Sequence, residues 1–262
     1  MGRRLGQHFL ARKSILDRIA HTACGDPANG NRVPIVIEIG PGKGALTESL
    51  LERAERVIAI EVDTYLVHYL RQKFRERVEQ GRLVLIEGDI LKTDLSQWGR
   101  VPIVGNLPYY ITSPILERVF ASEGAWERAV FLMQAEVAAR LAAEPGGRDR
   151  GYLSVLTQLH STPEILFEVP RVAFRPPPKV DSALVLLTPR TSPVDDTAAF
   201  LRFTSACFRM KRKTLRNNLA PTYGRELLDT VPEAGLRAEQ MNLEQLTDLY
   251  QRLVAGSKSL ER

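Results

Sequence analysis

Cysteine is almost absent: Cys24 and Cys207 are the two in 262 residues. Two cannot form a disulfide framework, so a reducing compartment, most simply the cytoplasm, is expected. No apolar run approaches the ~20 residues needed to span a bilayer, and no membrane role is expected. The four histidines, His8, His21, His68 and His160, lack metal-ligand spacing. Neither cysteine has a partner two to four residues away, so no metal is expected either. There is no Gly-x-Ser-x-Gly elbow and no evident nucleophile–base pair. The basic start Met1-Gly2-Arg3-Arg4 is not followed by an apolar stretch, so no secretory signal is expected. Internal repeats and low-complexity tracts are also missing.

What remains is an ordinary globular composition, 44% hydrophobic and 26% charged, long enough for one large and one small domain. Charge is unevenly placed. The chain carries 36 Lys and Arg against 31 Asp and Glu. Six of those cations, with no acid among them, lie in residues 201–219: Arg202, Arg209, Lys211, Arg212, Lys213 and Arg216. The rest of the chain is close to neutral. A local basic patch points to phosphate or an acidic partner. On a continuous helix, Arg202, Arg209, Lys213 and Arg216 would fall within ~60° of one another. Such a stripe suits phosphates; a solvated charged face is the plainer alternative.

Strand and helix signals alternate along the first two-thirds. Strands are expected at Val33–Ile39, Arg56–Glu61, Leu83–Glu87, Val101–Gly105 and Ala129–Met133. Helices are expected at Gly44–Arg53, Thr64–Arg77 and Pro114–Phe120. This order implies a mostly parallel α/β sheet with helices on both faces. Ile165–Val169 and Ala183–Leu187 are strands joined by a short proline-rich link, which suits an antiparallel hairpin. Thr188–Thr197 reads as a linker. Beyond it, apolar residues recur at helical spacing from Leu227 to Leu253. The expected domains are thus a sheet domain over 1–190 and a small helical domain over 191–262.

Glu38-Ile39-Gly40-Pro41-Gly42-Lys43-Gly44 follows the first strand. Glycines between a strand and a helix let the backbone turn tightly and approach a ligand. The spacing does not fit a P-loop, which needs Gly where Glu38 stands and Ser or Thr where Gly44 stands. It does fit a dinucleotide fingerprint through Gly40, Gly42 and Ala45. It equally fits the acidic E-x-G-x-G-x-G loop of S-adenosylmethionine (SAM) enzymes. A purely structural turn is the third reading. Glu61, at the end of the second strand, could accept both ribose hydroxyls of either cofactor, or be a solvated strand end. Gly88-Asp89-Ile90 ends the third strand; Asp89 could accept an adenine amine or simply form a turn.

Asn106-Leu107-Pro108-Tyr109 ends the fourth strand and matches the (Asn/Asp/Ser)-x-Pro-aromatic signature of amino-group methyltransferases. The lone pair of an exocyclic adenine amine is delocalised into the ring. Accepting both N–H bonds, at the Asn106 oxygen and the Leu107 carbonyl, would localise it on nitrogen. Pro108 restrains the backbone, and Tyr109 offers a face to the base.

With these residues the chain resembles the small-subunit ribosomal RNA adenine dimethyltransferases, a family that includes the macrolide-resistance methylases. The resemblance also rests on Gly6-Gln7-His8-Phe9-Leu10, Gly151–Val155, Phe174–Ser182 and Lys211–Leu219. It implies a Rossmann-like methyltransferase domain with a helical RNA-binding domain, in a cytoplasmic protein that acts as a monomer. It implies that His8, Leu10, Gly40, Gly42, Glu61, Asp89, Ile90 and Asn106 line the SAM site. Asn106, Leu107, Pro108 and Tyr109 would hold the target adenine, with Phe174 stacked on its other face. The implied product is N6,N6-dimethyladenosine at two adjacent adenosines in the 3′-terminal hairpin loop of 16S RNA, within a partly assembled small subunit. Leu107 and the Lys211–Leu219 run favour this branch over the resistance methylases. The family often has Asn where this chain has His8.

Overall fold

A computed structural model describes residues 8–26 and 32–260. The basic start and Gly6-Gln7 of the first motif lie outside the described residues. Two compact units emerge. One comprises the chain up to Ala138 together with Pro163–Pro189; the other comprises Ala139–Thr162 and Arg190 onwards.

The first unit opens with β1 (Phe9–Leu10) and α1 (Lys13–Cys24). Strand–helix alternation follows: β2 (Val33–Ile39), α2 (Ala45–Leu51), β3 (Ala54–Glu61), α3 (Thr64–Lys73), α4 (Arg75–Glu79), β4 (Leu83–Glu87), β5 (Val101–Asn106), α5 (Thr112–Phe120), β6 (Trp126–Gln134) and α6 (Ala135–Leu141). The central strands are parallel, β4–β3–β2–β5–β6 in order. Covered on both faces, they are continuous apolar runs; Val36, Ile37, Val57, Ala59, Ile103, Val104 and Phe131 are all buried. The chain runs outward from β2 through β3 to β4, then returns to the other side of β2 with β5. That reversal makes a topological switch point, where open α/β sheets bind ligands beyond the strand carboxyl ends.

The expected helix over Thr64–Arg77 is broken at Phe74, whose backbone leaves helical geometry. The buried Phe74 ring lies where a Cβ on Gly44 would come within 2.5 Å of it. Tertiary packing on the glycine loop therefore overrides local helix propensity. Asp63 caps α3, its carboxylate accepting from the amides of Tyr65 and Leu66.

The sheet is completed by β7 (Ser161–Val169) and β9 (Ser182–Pro189). They are neighbours at one edge, and β9 runs antiparallel to β6. Between them in sequence, β8 (Phe174–Arg175) pairs antiparallel with β1. This small second sheet was not expected from the sequence.

The second unit contains α7 (Tyr152–His160), α8 (Thr197–Cys207), α9 (Leu215–Tyr223), α10 (Arg225–Asp229) and α11 (Leu243–Leu260). Val155, Leu159, Phe200, Phe203, Leu215, Leu219, Met241, Leu246 and Leu253 form its core. The expected division at residue 190 therefore misses an excursion, because residues 139–162 belong with the C-terminal helices. Arg150 supplies the physical reason. Fully buried, it donates to the carbonyls of Met241 and Ala143 and to Gln158 Oε1, at 2.8–3.0 Å. The Gly146 amide donates to Glu239 O at 2.7 Å.

Candidate active site

The carboxyl ends of β2, β3, β4 and β5 open into one pocket. Its wall includes His8, Leu10, Gly40, Gly42, Glu61, Asp89, Ile90, Asn106, Leu107, Pro108 and Tyr109. Eleven residues singled out in the sequence thus meet at one place.

The glycine loop is built by conformation. Gly40, Gly42 and Gly44 have φ of +66°, +58° and +75°, a region L side chains rarely occupy. A Cβ on Gly40 would have no neighbour within 4 Å, so its absence leaves open space for a ligand. The Gly42 amide donates to Glu61 Oε2 at 3.1 Å, and the Asp63 amide donates to Oε1 at 3.1 Å. Glu61 is only 5% exposed. Burial pushes its carboxyl up, and the two backbone donors oppose that shift. Asp89 Oδ1 accepts from the Leu91 amide at 2.9 Å. Asp89 therefore does form the turn, and it lines the pocket as well.

Gly105 sets the next strand. A Cβ there would lie 2.7 Å from Ile39 O, so glycine lets β5 close onto β2 just before Asn106. The Asn106 amide nitrogen donates to His8 O at 3.1 Å. That bond commits the nitrogen and leaves the side-chain oxygen free to accept. The Leu107 amide donates to Leu132 O at 2.9 Å. The Pro108 carbonyl receives the Ile111 amide and the Thr112 hydroxyl, both at 3.1 Å. Tyr109 stacks with the His8 ring, centroids 5.9 Å apart and planes at 28°, and its hydroxyl meets Ser182 Oγ at 2.8 Å. His8 Nδ1 lies 2.8 Å from Pro176 O.

Phe174 departs from expectation. It is 2% exposed and packs in the core with Leu10, Val169 and Ala173, off the pocket wall. Pairing of β8 with β1 turns it inward, so its ring has no face to offer a base in this conformation.

Glu38 was not singled out as a site residue, although it lines the pocket. It is buried beneath the glycine loop and accepts from the Thr47 hydroxyl at 2.6 Å. Burial, reinforced by Glu61, pushes it up to about 8. At neutral pH Glu38 is therefore a neutral acid beside Glu61. Its folded value lies above the ordinary 4.5, so its contribution to stability is lost as pH rises from about 4.5 to about 8. Glu38→Gln removes that loss. Its melting temperature relative to the native protein should rise from pH 5 to pH 8, by the equivalent of a few kcal/mol at most, at ~1.4 kcal/mol per unit. Parallel melting curves across that range would show that Glu38 titrates normally. Tyr110, 59% exposed, also lines the pocket; adjacency to Tyr109 was its sequence signal.

The basic segment is not one helix. α8 ends at Cys207 and α9 begins at Leu215, so Arg209, Lys211, Arg212 and Lys213 lie on the connecting loop. Arg202 and Arg216 stand on the separate helices, and the predicted stripe does not form. Buried Asn218 is the cause. Its amide nitrogen donates to Cys207 O (2.7 Å) and Met210 O (3.2 Å), while its oxygen accepts from the Met210 amide (3.1 Å). These bonds take up backbone groups that a continuing helix would use. Arg216 pairs with Asp229 at 3.0 Å, and Lys211 Nζ donates to Arg148 O at 2.6 Å. Arg209, Arg212 and Lys213 remain exposed.

Burial pushes the Cys24 thiol up to about 12 and raises Cys207 as well, so neither is poised as a nucleophile. Among the described residues no group of His, Cys, Asp and Glu is arranged to hold a metal, and no helix is long and apolar enough to cross a membrane.

Comparison with known proteins agrees with this geometry. The ribosomal RNA adenine dimethylase family model matches residues 2–253. The ribosomal RNA small subunit methyltransferase A of Acidobacterium capsulatum is 44% identical, over 95% of this chain and 90% of that protein. Its counterpart from Legionella pneumophila is 41% identical, over 94% and 95%. Among solved structures, a dimethyladenosine transferase from Plasmodium falciparum shares the fold, with a TM-score of 0.78 at 24% identity, over 96% of this chain and 98% of that one. The 23S rRNA methyltransferase ErmE matches with a TM-score of 0.70 at 28% identity, over 94% and 99%. With its family model covering nearly the whole length and its signature residues gathered in one pocket, the chain belongs to the ribosomal RNA adenine dimethylase family.

Proposed function

We propose that this protein methylates the N6 amines of two adjacent adenosines in the 3′-terminal hairpin loop of 16S rRNA, giving N6,N6-dimethyladenosine during small-subunit assembly in the cytoplasm. The observation that carries this reading is Asn106-Leu107-Pro108-Tyr109 at the carboxyl end of β5, sharing a pocket with the glycine loop and Glu61.

The pocket suits SAM. Glu61 would accept the ribose hydroxyls, Asp89 the adenine amine, and the missing Cβ of Gly40 leaves the backbone open to close approach. When bound, SAM supplies an electrophilic methyl group. The protein must then make a poor nucleophile better. Asn106 Oδ1, oriented because its amide nitrogen is held by His8 O, accepts one N6–H bond. The Leu107 carbonyl accepts the other. Together they hold the lone pair on nitrogen and aim it. The methylated amine is acidic and gives its proton to water, so no side-chain base is required.

The test is transfer of labelled methyl from SAM to small subunits isolated without this modification. Label in dimethyladenosine of 16S RNA is the expected result; no incorporation by folded, SAM-binding protein would overturn the reading. RNA grip is assigned to the basic loop. Neutralising Arg209, Arg212 and Lys213 together should weaken subunit binding and leave SAM affinity unchanged. The slope of log K against log salt should flatten by roughly 0.7–0.9 for each phosphate that the loop no longer neutralises. An unchanged affinity and slope would make the loop a solvated surface.

A further inference from the structure

Ser182 is the first residue of β9, far in sequence from the signature motif and off the pocket wall. It is 0% exposed, and the next three residues of the strand, Ala183, Leu184 and Val185, are buried apolar ones. A buried hydroxyl in such a run is unfavourable unless it has a partner. Its partner is the Tyr109 hydroxyl, 2.8 Å away.

The backbone of Ser182 is fixed. It stands opposite Gln134 in the β6–β9 ladder. The preceding Asp181 accepts the Ala135 amide at its carbonyl (3.0 Å) and the Arg171 amide at its carboxylate (2.8 Å). Tyr109, by contrast, follows Pro108 in a loop, and two side-chain torsions set its ring plane. The bond to Ser182 ties the far end of that ring to the sheet, and the stacked His8 ring lies along it.

We propose that Ser182 is a positioning residue for methyl transfer, holding the Tyr109 ring in the plane that receives the target adenine. This rests on the function proposed above. Ser182 does not touch substrate; it acts through the Tyr109 hydroxyl. A stacking ring free to tilt holds the amine in its reactive pose for a smaller fraction of the time. The cost should fall on the methyl-transfer step. Subunit affinity, dominated by phosphate contacts, and SAM affinity should be unaffected.

The experiment compares single-turnover methyl transfer to unmodified small subunits by native protein, Ser182→Ala, Tyr109→Phe and the double variant, at saturating SAM and subunit. Native protein that transfers methyl groups establishes the parent reading by itself. Loss of one such hydrogen bond should then slow each single variant roughly two- to tenfold. Tyr109→Phe breaks the same bond without altering the sheet, so it controls for a folding defect in Ser182→Ala. The double variant should be no slower than either single one, because both remove one interaction. Native rates in Tyr109→Phe would overturn the proposal. So would an undiminished effect of Ser182→Ala in the Tyr109→Phe background, or a fall in SAM affinity that accounts for the slower rate.

Discussion

Asn106→Ala is expected to lower the methyl-transfer rate at saturating SAM and subunit by ~10²–10³, the usual cost of removing a preorganised polar group from the reacting centre. The fold should survive. Asn106 is the last residue of β5 and makes its side-chain bond to His8 O, at the edge of the pocket rather than in the core. Truncation frees that carbonyl to water, a small penalty, and removes the acceptor proposed for the target amine. Asn106→Asp is the informative companion. It keeps an oxygen acceptor but replaces the donor to His8 O with a second oxygen, so the side chain loses the bond that orients it. Alanine at native rates would dismiss the acceptor role. Aspartate as slow as alanine would show that orientation by His8 matters as much as the oxygen itself.

That dependence on His8 illustrates what the sequence could and could not disclose. The parallel strands were legible because strands covered on both faces are uninterrupted apolar runs, and their ends were marked by Gly40, Glu61, Asp89 and Asn106. Those ends are brought together by topology alone, so recognising the strands was nearly enough to assemble the pocket. α1 was readable in principle from Ile15, Leu16, Ile19, Ala20 and Ala23, which share one buried face. The breaks at Phe74 and at 208–214 were not readable. Each depends on a partner distant in sequence or in role: Phe74 on the missing Cβ of Gly44, the basic loop on the buried amide of Asn218. Local periodicity favours continuing the helix at both places, and tertiary bonds overrule it. Phe174 fails for a related reason. A short pairing of β8 with β1 decides which way its ring points, and two-residue strands leave almost no pattern.

Glu61→Ala should weaken SAM binding by ~1.5–3 kcal/mol, or roughly 10–150-fold, the worth of hydrogen bonds to a charged acceptor. Two effects combine. The ribose hydroxyls would lose the carboxylate proposed to accept them, and the Gly42 amide loses the bond that ties the glycine loop to the end of β3. Glu61→Gln separates them, since its single oxygen can serve the loop or the ribose but its amide cannot accept. It should fall between native protein and alanine. Acidity offers a second readout. Burial raises the Glu61 carboxyl above its ordinary value, and SAM should bind best to the ionised form. Affinity should therefore decline on acidification at a higher pH than for an exposed glutamate, and Glu61→Gln should abolish that decline. Calorimetric titration of native protein and both variants with SAM, at several pH values, reads all of this directly. Unchanged affinity in Glu61→Ala would remove the carboxylate from the cofactor site, and the glycine loop would then have to hold SAM through backbone contacts alone.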